Sequence, residues 1–196
     1  MFGVDRFERE RLADAGALRR LSGHRHRARW ESAGIERSLP LFEDTTAVEA
    51  KPVLRAPSPQ ENIFADYATH GLSLQAHPLS LVRAALAERR VCRASDMADL
   101  KNGTWLRHAG LVTVRQRPQT AKGITFVTLE DETGQVNVIV RPQVAVNQRT
   151  ILLDAVLMGV DGEWQAIDGV RHLIARRLHD YSDLMPQLGS VSRDFH

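Results

Sequence analysis

A single cysteine, Cys92, stands among 196 residues. One thiol builds neither an internal disulfide nor a cysteine-based zinc site, so a reducing compartment is expected. Aromatic residues are few, at 6%, which excludes a large aromatic interior. No apolar run approaches the length of a membrane span, and the opening MFGVDRFERERL is charged throughout and unlike a secretory leader. The expectation is a cytoplasmic protein with no membrane partner. Neither a glycine-rich phosphate loop nor a Ser/His/Asp order is recognisable, and His24-x-His26 has no further ligand types beside it. No catalytic residue, metal site or cofactor is therefore expected. Hydrophobic residues reach 43%, enough for a core. The formal charge is only +2, with arginine dominating the basic residues. Guanidinium groups fork onto phosphate, so this bias leans towards anionic partners, although a solvated arginine-rich surface has the same composition.

The chain reads as α+β: N-terminal helical segments and a linker, followed by a five-stranded OB-fold β-barrel. Asp5 to Ser32 has helical character, interrupted only by Gly16 and Gly23, and carries Arg19, Arg20, Arg25, Arg27 and Arg29. That run reads as a phosphate-facing segment or, more simply, as a solvated helix face. Residues 1–33 form a helical fragment, and 34–59, with Pro40, Pro52, Pro57 and Pro59, a linker. Residues 60–104 are expected to hold helices packing on the barrel. Ser58-Pro59-Gln60-Glu61 matches a capping box with proline at the first helical position, and Gly71 closes that helix. A second helix starts at Pro78 and a short third at Ser95.

From about residue 105 the apolar period becomes two, and residues 105–180 are assigned to the barrel, with 181–196 as a tail. Leu111 to Arg117 is read with Val112 and Val114 on one face and Thr113, Arg115 and Arg117 on the other. Ile124–Glu130 and Gln135–Val140 form a hairpin about the turn Asp131-Glu132-Thr133-Gly134. Pro142 to Arg149 is expected as one short helix, Ile151 to Gln165 as a fourth strand bent at Asp161-Gly162, and Val170 to Ala175 as a fifth. That order is the order of the OB barrel. The acidic run Glu130-Asp131-Glu132 reads as a turn, because consecutive carboxylates splay apart whereas metal sites gather them from several elements.

The faces of the hairpin decide the functional expectation. With Val127, Leu129, Val136, Val138 and Val140 inward, Phe126, Thr128, Gln135, Asn137 and Ile139 point out. An exposed ring beside an amide, flanked by Arg115, Arg117, Lys122 and Arg141, suits a single strand. The ring stacks on a base, the amide reads a base edge and the cations hold phosphates. The bland alternative is that Phe126 is a barrel residue covered by the preceding helices.

The blocks Ala109–Pro118, Thr120–Gly123, Phe126–Gly134 and Val136–Val140 resemble the OB domain of bacterial C-family DNA polymerases, in the error-prone group related to the DNA polymerase III alpha subunit. Gly71–Leu79, Leu173–Leu178, Ser192–His196, Leu12–Leu18 and Ala28–Trp30 are similar to the flanks of that domain, so the resemblance spans nearly the whole chain. The hairpin motif by itself is shared with anticodon-binding OB domains of tRNA synthetases. The resemblance implies a single-stranded DNA-binding module of a translesion, repair-associated polymerase. Family members are several times longer, and the palm with the catalytic aspartates has no counterpart here, so no nucleotidyl transfer is expected of this chain alone. A non-catalytic subunit of a split polymerase is the alternative. Ser38-Leu39-Pro40-Leu41-Phe42 is similar to the pentapeptide that docks bacterial polymerases on the sliding clamp, with Leu39, Leu41 and Phe42 filling an apolar pocket. On that reading the clamp and accessory translesion proteins are partners; a plain linker is the simpler reading.

Overall fold

Alternation of small β-branched residues with polar ones, punctuated by tight turns, closes the C-terminal part of the chain into a barrel. The computed structural model describes residues 4–35 and 52–185. It falls into two units, divided between Leu74 and Gln75.

The first unit holds α1 (Arg6–Asp14), α2 (Arg19–Ser22), α3 (Arg25–Ala33) and α4 (Pro59–His70). The helical stretch is interrupted at the two glycines expected, Gly16 (φ +75°) and Gly23 (φ +84°), where the chain takes a positive φ that glycine adopts without strain. Asp5 and Glu8 form a capping box at the start of α1. Ser58 and Glu61 form another at α4, with Pro59 inside and Gly71 (φ +70°) closing it, as its sequence signals require. The buried guanidinium of Arg25 ties α3 to α4. It donates to Asn62 Oδ1 at 3.2 Å and to the carboxylate of Asp66. For this reason α4 belongs with α1–α3, and the stretch 60–104 expected as one helical segment is divided between the units.

The second unit begins with α5 (Leu79–Glu88) and α6 (Ala94–Met97), then β1 (Trp105–Gln116), β2 (Thr125–Asp131) and β3 (Gly134–Val140). Next come α7 (Pro142–Asn147), α8 (Arg149–Asp154), β4 (Leu157–Ile167) and β5 (Val170–Asp180). The strands close a barrel in the order β1-β2-β3-β5-β4, with only the β3–β5 pair parallel. This is the five-stranded OB arrangement expected from the sequence. Inward residues Val127, Leu129, Val136, Val138, Val140, Met158, Val160, Trp164, Leu173 and Leu178 fill it, with Met97 of α6 and Leu152 of α8 closing its ends.

Three expectations are corrected. Strand β1 starts at Trp105 rather than Leu111, because residues 105–111 pair with β4. Residues 142–149 are not one helix: Gln148 interrupts it, and its side chain instead exchanges hydrogen bonds with the backbone N–H and C=O of Leu178. Residues 151–154, expected to open the fourth strand, belong instead to α8.

The bend expected at Asp161-Gly162 is a bulge. Asp161 pairs with Arg177 and Gly162 with Ala175, leaving Arg176 without a partner in the ladder. Gly162 makes this possible, since a Cβ there would lie 2.4 Å from the Ile174 carbonyl oxygen. Gly162→Ala is expected to destabilise the fold by about 1–3 kcal/mol, read as a lower Tm; an unchanged Tm would show that the crossing of β4 and β5 relaxes freely.

The acidic turn has a structural task. Asp131 is 3% exposed. Its Oδ1 accepts from the Thr133 N–H and hydroxyl and from the Gly134 N–H, while Oδ2 accepts from Ala94 N–H at 2.8 Å and faces Arg83 at 3.4 Å. Burial alone would raise its pKa, but these hydrogen bonds hold the carboxyl below its ordinary value. Arg83 also grips Glu132, so the turn clips α5 and the start of α6 to the hairpin. Among the described residues no cluster of potential ligands suits a metal ion, and no helix is long and apolar enough to cross a membrane.

Beside this clip His108 is fully buried, with Nδ1 on the Cys92 carbonyl at 3.0 Å and Nε2 without a hydrogen-bond partner. Desolvation lowers its pKa and that of His77, so the fold favours the neutral imidazoles. The unfolded chain therefore binds protons first as the pH falls. The stability from these two groups is complete above about pH 6.5 and is lost below it. Urea midpoints are expected to drop from pH 8 to 5.5, with a smaller drop in His108→Asn; an equal drop in the variant would remove His108 from the account.

Candidate nucleic-acid interface

The outward face of β2 and β3 is built by register. Phe126 lies opposite Ile139, Thr128 opposite Asn137, and Glu130 opposite Gln135. The inward partners are all buried, so the alternation expected for this hairpin holds residue by residue. Phe126 is 37% exposed. Its ring has Gln116 on one side, across the β1–β2 pair, and half-buried Ile139 on the other. Thr128 Oγ1 donates to Asn137 Oδ1 at 3.2 Å, which leaves the amide nitrogen of Asn137 for solvent or a base edge.

The β1 side of this face differs from the expectation. A bulge at Thr113 shifts the register: Val112 pairs with inward Leu129, but Val114 pairs with outward Thr128. Val112 therefore packs on the core while Val114 is 41% exposed, and the two valines do not share a face. The same shift moves Arg115 off the outer face. Opposite inward Val127, its guanidinium reaches the end of α8 and donates to the carbonyl oxygens of Leu152, at 2.7 Å, and Ala155. Arg115, expected on phosphate, serves as a cap for a helix C-terminus. Gln116 takes the place beside Phe126 instead, a role its sequence context does not indicate.

The remaining cations gather at one end. Between β1 and β2 the chain makes a 3-10 turn at Gln119–Ala121, then two left-handed residues, Lys122 (φ +47°) and Gly123 (φ +82°). This reversal leaves the Lys122 side chain exposed. Arg117 and Arg141 are also exposed at this end, next to β1 and β3 respectively. The opposite end of the face carries Glu130, which accepts from Gln135 at 2.9 Å. The face is thus polarised, with Arg117, Lys122 and Arg141 at the loop end and the acidic turn at the other. The β4–β5 hairpin adds exposed Ile167 and Val170 on either side of Asp168-Gly169.

The arginine run of the first unit divides differently. Arg25 is buried against Asn62 and Asp66, Arg27 pairs with Glu31, and Arg29 pairs with Asp14. Three of its five guanidinium groups are engaged within the first unit, and that of Arg25 is buried rather than solvated. The candidate clamp motif, Leu39, Leu41 and Phe42, lies outside the described residues, as does the tail from residue 186.

No family model matches the chain. Solved structures align with part of the chain at low similarity. The hypothetical protein ygiW from E. coli aligns with a TM-score of 0.37 and 17% identity, over 45% of this chain and 87% of that one. An asparaginyl-tRNA synthetase from Pyrococcus horikoshii aligns with a TM-score of 0.39 and 18% identity, over 46% of this chain and 22% of that one. Similarity at this level bears no functional weight. Curated sequences are far more similar. An error-prone DNA polymerase of Pseudomonas syringae pv. tomato is 51% identical over 193 residues, which is 98% of this chain and 19% of the relative. The enzymes of that name from Pseudomonas aeruginosa and Methylococcus capsulatus are 52% and 50% identical over 95% and 98% of this chain, and 18% of each relative. The chain spans about a fifth of the length of the relatives it matches. Over nearly its whole length the chain is thus similar, at about 50% identity, to the C-terminal portion of proteins named error-prone DNA polymerase.

Proposed function

We propose that this chain is the single-stranded DNA-binding OB module of an error-prone, translesion DNA polymerase. The observation that carries the reading is the outward row Gln116–Phe126–Ile139, with the Thr128–Asn137 pair beside it and three exposed cations at one end. A ring offers stacking to any base, and the free amide nitrogen of Asn137 meets an acceptor on a base edge. Arg117, Lys122 and Arg141 would hold successive phosphates. Arg115 takes no part on this reading, because its Nε and Nη2 groups hold carbonyl oxygens at the end of α8. DNA polymerisation, which the relatives' name states, belongs on this reading to the regions of those proteins that the chain does not match.

The test is fluorescence anisotropy of a labelled oligothymidylate over a salt series. Three phosphate contacts predict that log affinity falls against log salt with a slope near −2, at about 0.7 per contact on a single strand. Each of Arg117→Gln, Lys122→Gln and Arg141→Gln is expected to reduce that slope. Absence of binding at low salt would refute the reading.

A further inference from the structure

The outward row that carries Phe126 continues around the barrel. Register leads from Phe126 to Ile139, from Ile139 to Ile174, from Ile174 to Glu163 and from Glu163 to Trp105. Trp105 at the end of the row is 63% exposed, more than Phe126 at 37%. The Arg176 guanidinium carbon lies 5.7 Å from its ring centroid. It arrives there because the β4–β5 bulge leaves Arg176 outside the ladder, a bulge that Gly162 permits. Arg176 also faces Glu163 at 3.4 Å, but both side chains are more than a third exposed, so the pair is weak and the guanidinium is able to exchange carboxylate for phosphate. An indole beside a weakly held guanidinium has the chemistry of a stacking platform for a nucleobase and its phosphate.

We propose that Trp105 and Arg176 form a second stacking station for single-stranded DNA, reached by the strand after it leaves the Phe126 face. The proposal rests on the binding reading above and extends it. Followed round the closed barrel from β2 to β1, the row is four inter-strand steps long, a path of roughly 19 Å at about 4.8 Å per step. An OB site of roughly 4–16 nucleotides covers a span of that order. Between the rings the row runs through half-buried Ile139 and buried Ile174, and Glu163 is its one acidic member.

The experiment uses the full chain carrying Trp30→Phe, so that Trp105 is the only exposed indole, Trp164 being buried. It is titrated with oligothymidylates of about 4 and about 20 nucleotides. Both are expected to bind, and only the longer to quench indole emission. Trp105→Ala is expected to lose about fivefold or more in affinity for the longer oligomer and nothing for the shorter. Arg176→Gln should shift affinity in the same direction without removing the ring, which guards against misfolding of the first variant. Unchanged affinity for the long oligomer in both variants overturns the second station, leaves the Phe126 reading intact and points to a protein as the occupant of this face. No binding of either oligomer overturns both.

Discussion

Phe126→Ala is expected to weaken binding of single-stranded DNA by roughly 5- to 150-fold, the equivalent of about 1–3 kcal/mol of base stacking. The ring points away from the core formed by Val127 and Leu129, and at 37% exposure the rest of its area packs on the outer face of the sheet. Removing it should lower stability by about 1 kcal/mol, less than the roughly 3–5 kcal/mol of a fully buried Phe. The two measurements together separate a binding role from a packing role. A large loss of stability with unchanged affinity would identify Phe126 as an ordinary barrel residue. Asn137→Ala is expected to act in the same direction with a smaller effect, since it removes one hydrogen-bonding group and no stacking surface.

Arg115→Ala is expected to do the reverse. Its guanidinium is the donor to two carbonyl groups at the C-terminal end of α8, and hydrogen bonds to charged groups contribute about 1.5–3 kcal/mol. Loss of the side chain should therefore destabilise the domain by about 2–3 kcal/mol, read as a lower urea midpoint with an unchanged m-value. Affinity for single-stranded DNA, measured where the variant is still folded, should change little. Arg117→Ala gives the contrast: stability unchanged and affinity reduced. If instead Arg115→Ala keeps its stability and loses affinity, the guanidinium is a phosphate ligand after all.

Arg115 also shows where the sequence stopped being legible. The hairpin from Thr125 to Val140 could be read closely, because its two strands alternate without interruption about a tight turn that Asp131 organises. The barrel order followed from the succession of strands and short helices. Strand β1 could not be read the same way. One additional residue at Thr113 reverses the faces of everything after it, and nothing in the local composition Leu-Val-Thr-Val-Arg-Gln announces a bulge. The consequence is an exchange of roles: Arg115 leaves the candidate interface and Gln116 enters it. Residues 151–154 failed for another reason. Ile151, Leu152 and Leu153 suit a buried strand as well as a helix, and the choice is made by distant partners, Arg115 at the helix end and Leu178 on the side chain of Gln148.

The same long-range dependence hides the Trp105–Arg176 pair. The residues lie 71 positions apart in the chain and meet only because β4 and β5 form a bulge that Gly162 permits. The clip at Asp131 is a milder case. A turn was evident from the sequence, but its hold on the Ala94 N–H and Arg83 required the helices to be in place.

Chemical-shift mapping tests the central claim most directly. On adding unlabelled oligothymidylate to the isotope-labelled chain, amide and side-chain shifts should concentrate at Gln116, Phe126, Thr128, Asn137 and Ile139 and in the loop containing Arg117 and Lys122, while Arg115 Nε–H remains unmoved. Saturable binding whose shifts avoid the β2–β3 face, or no shifts at all, would contradict it.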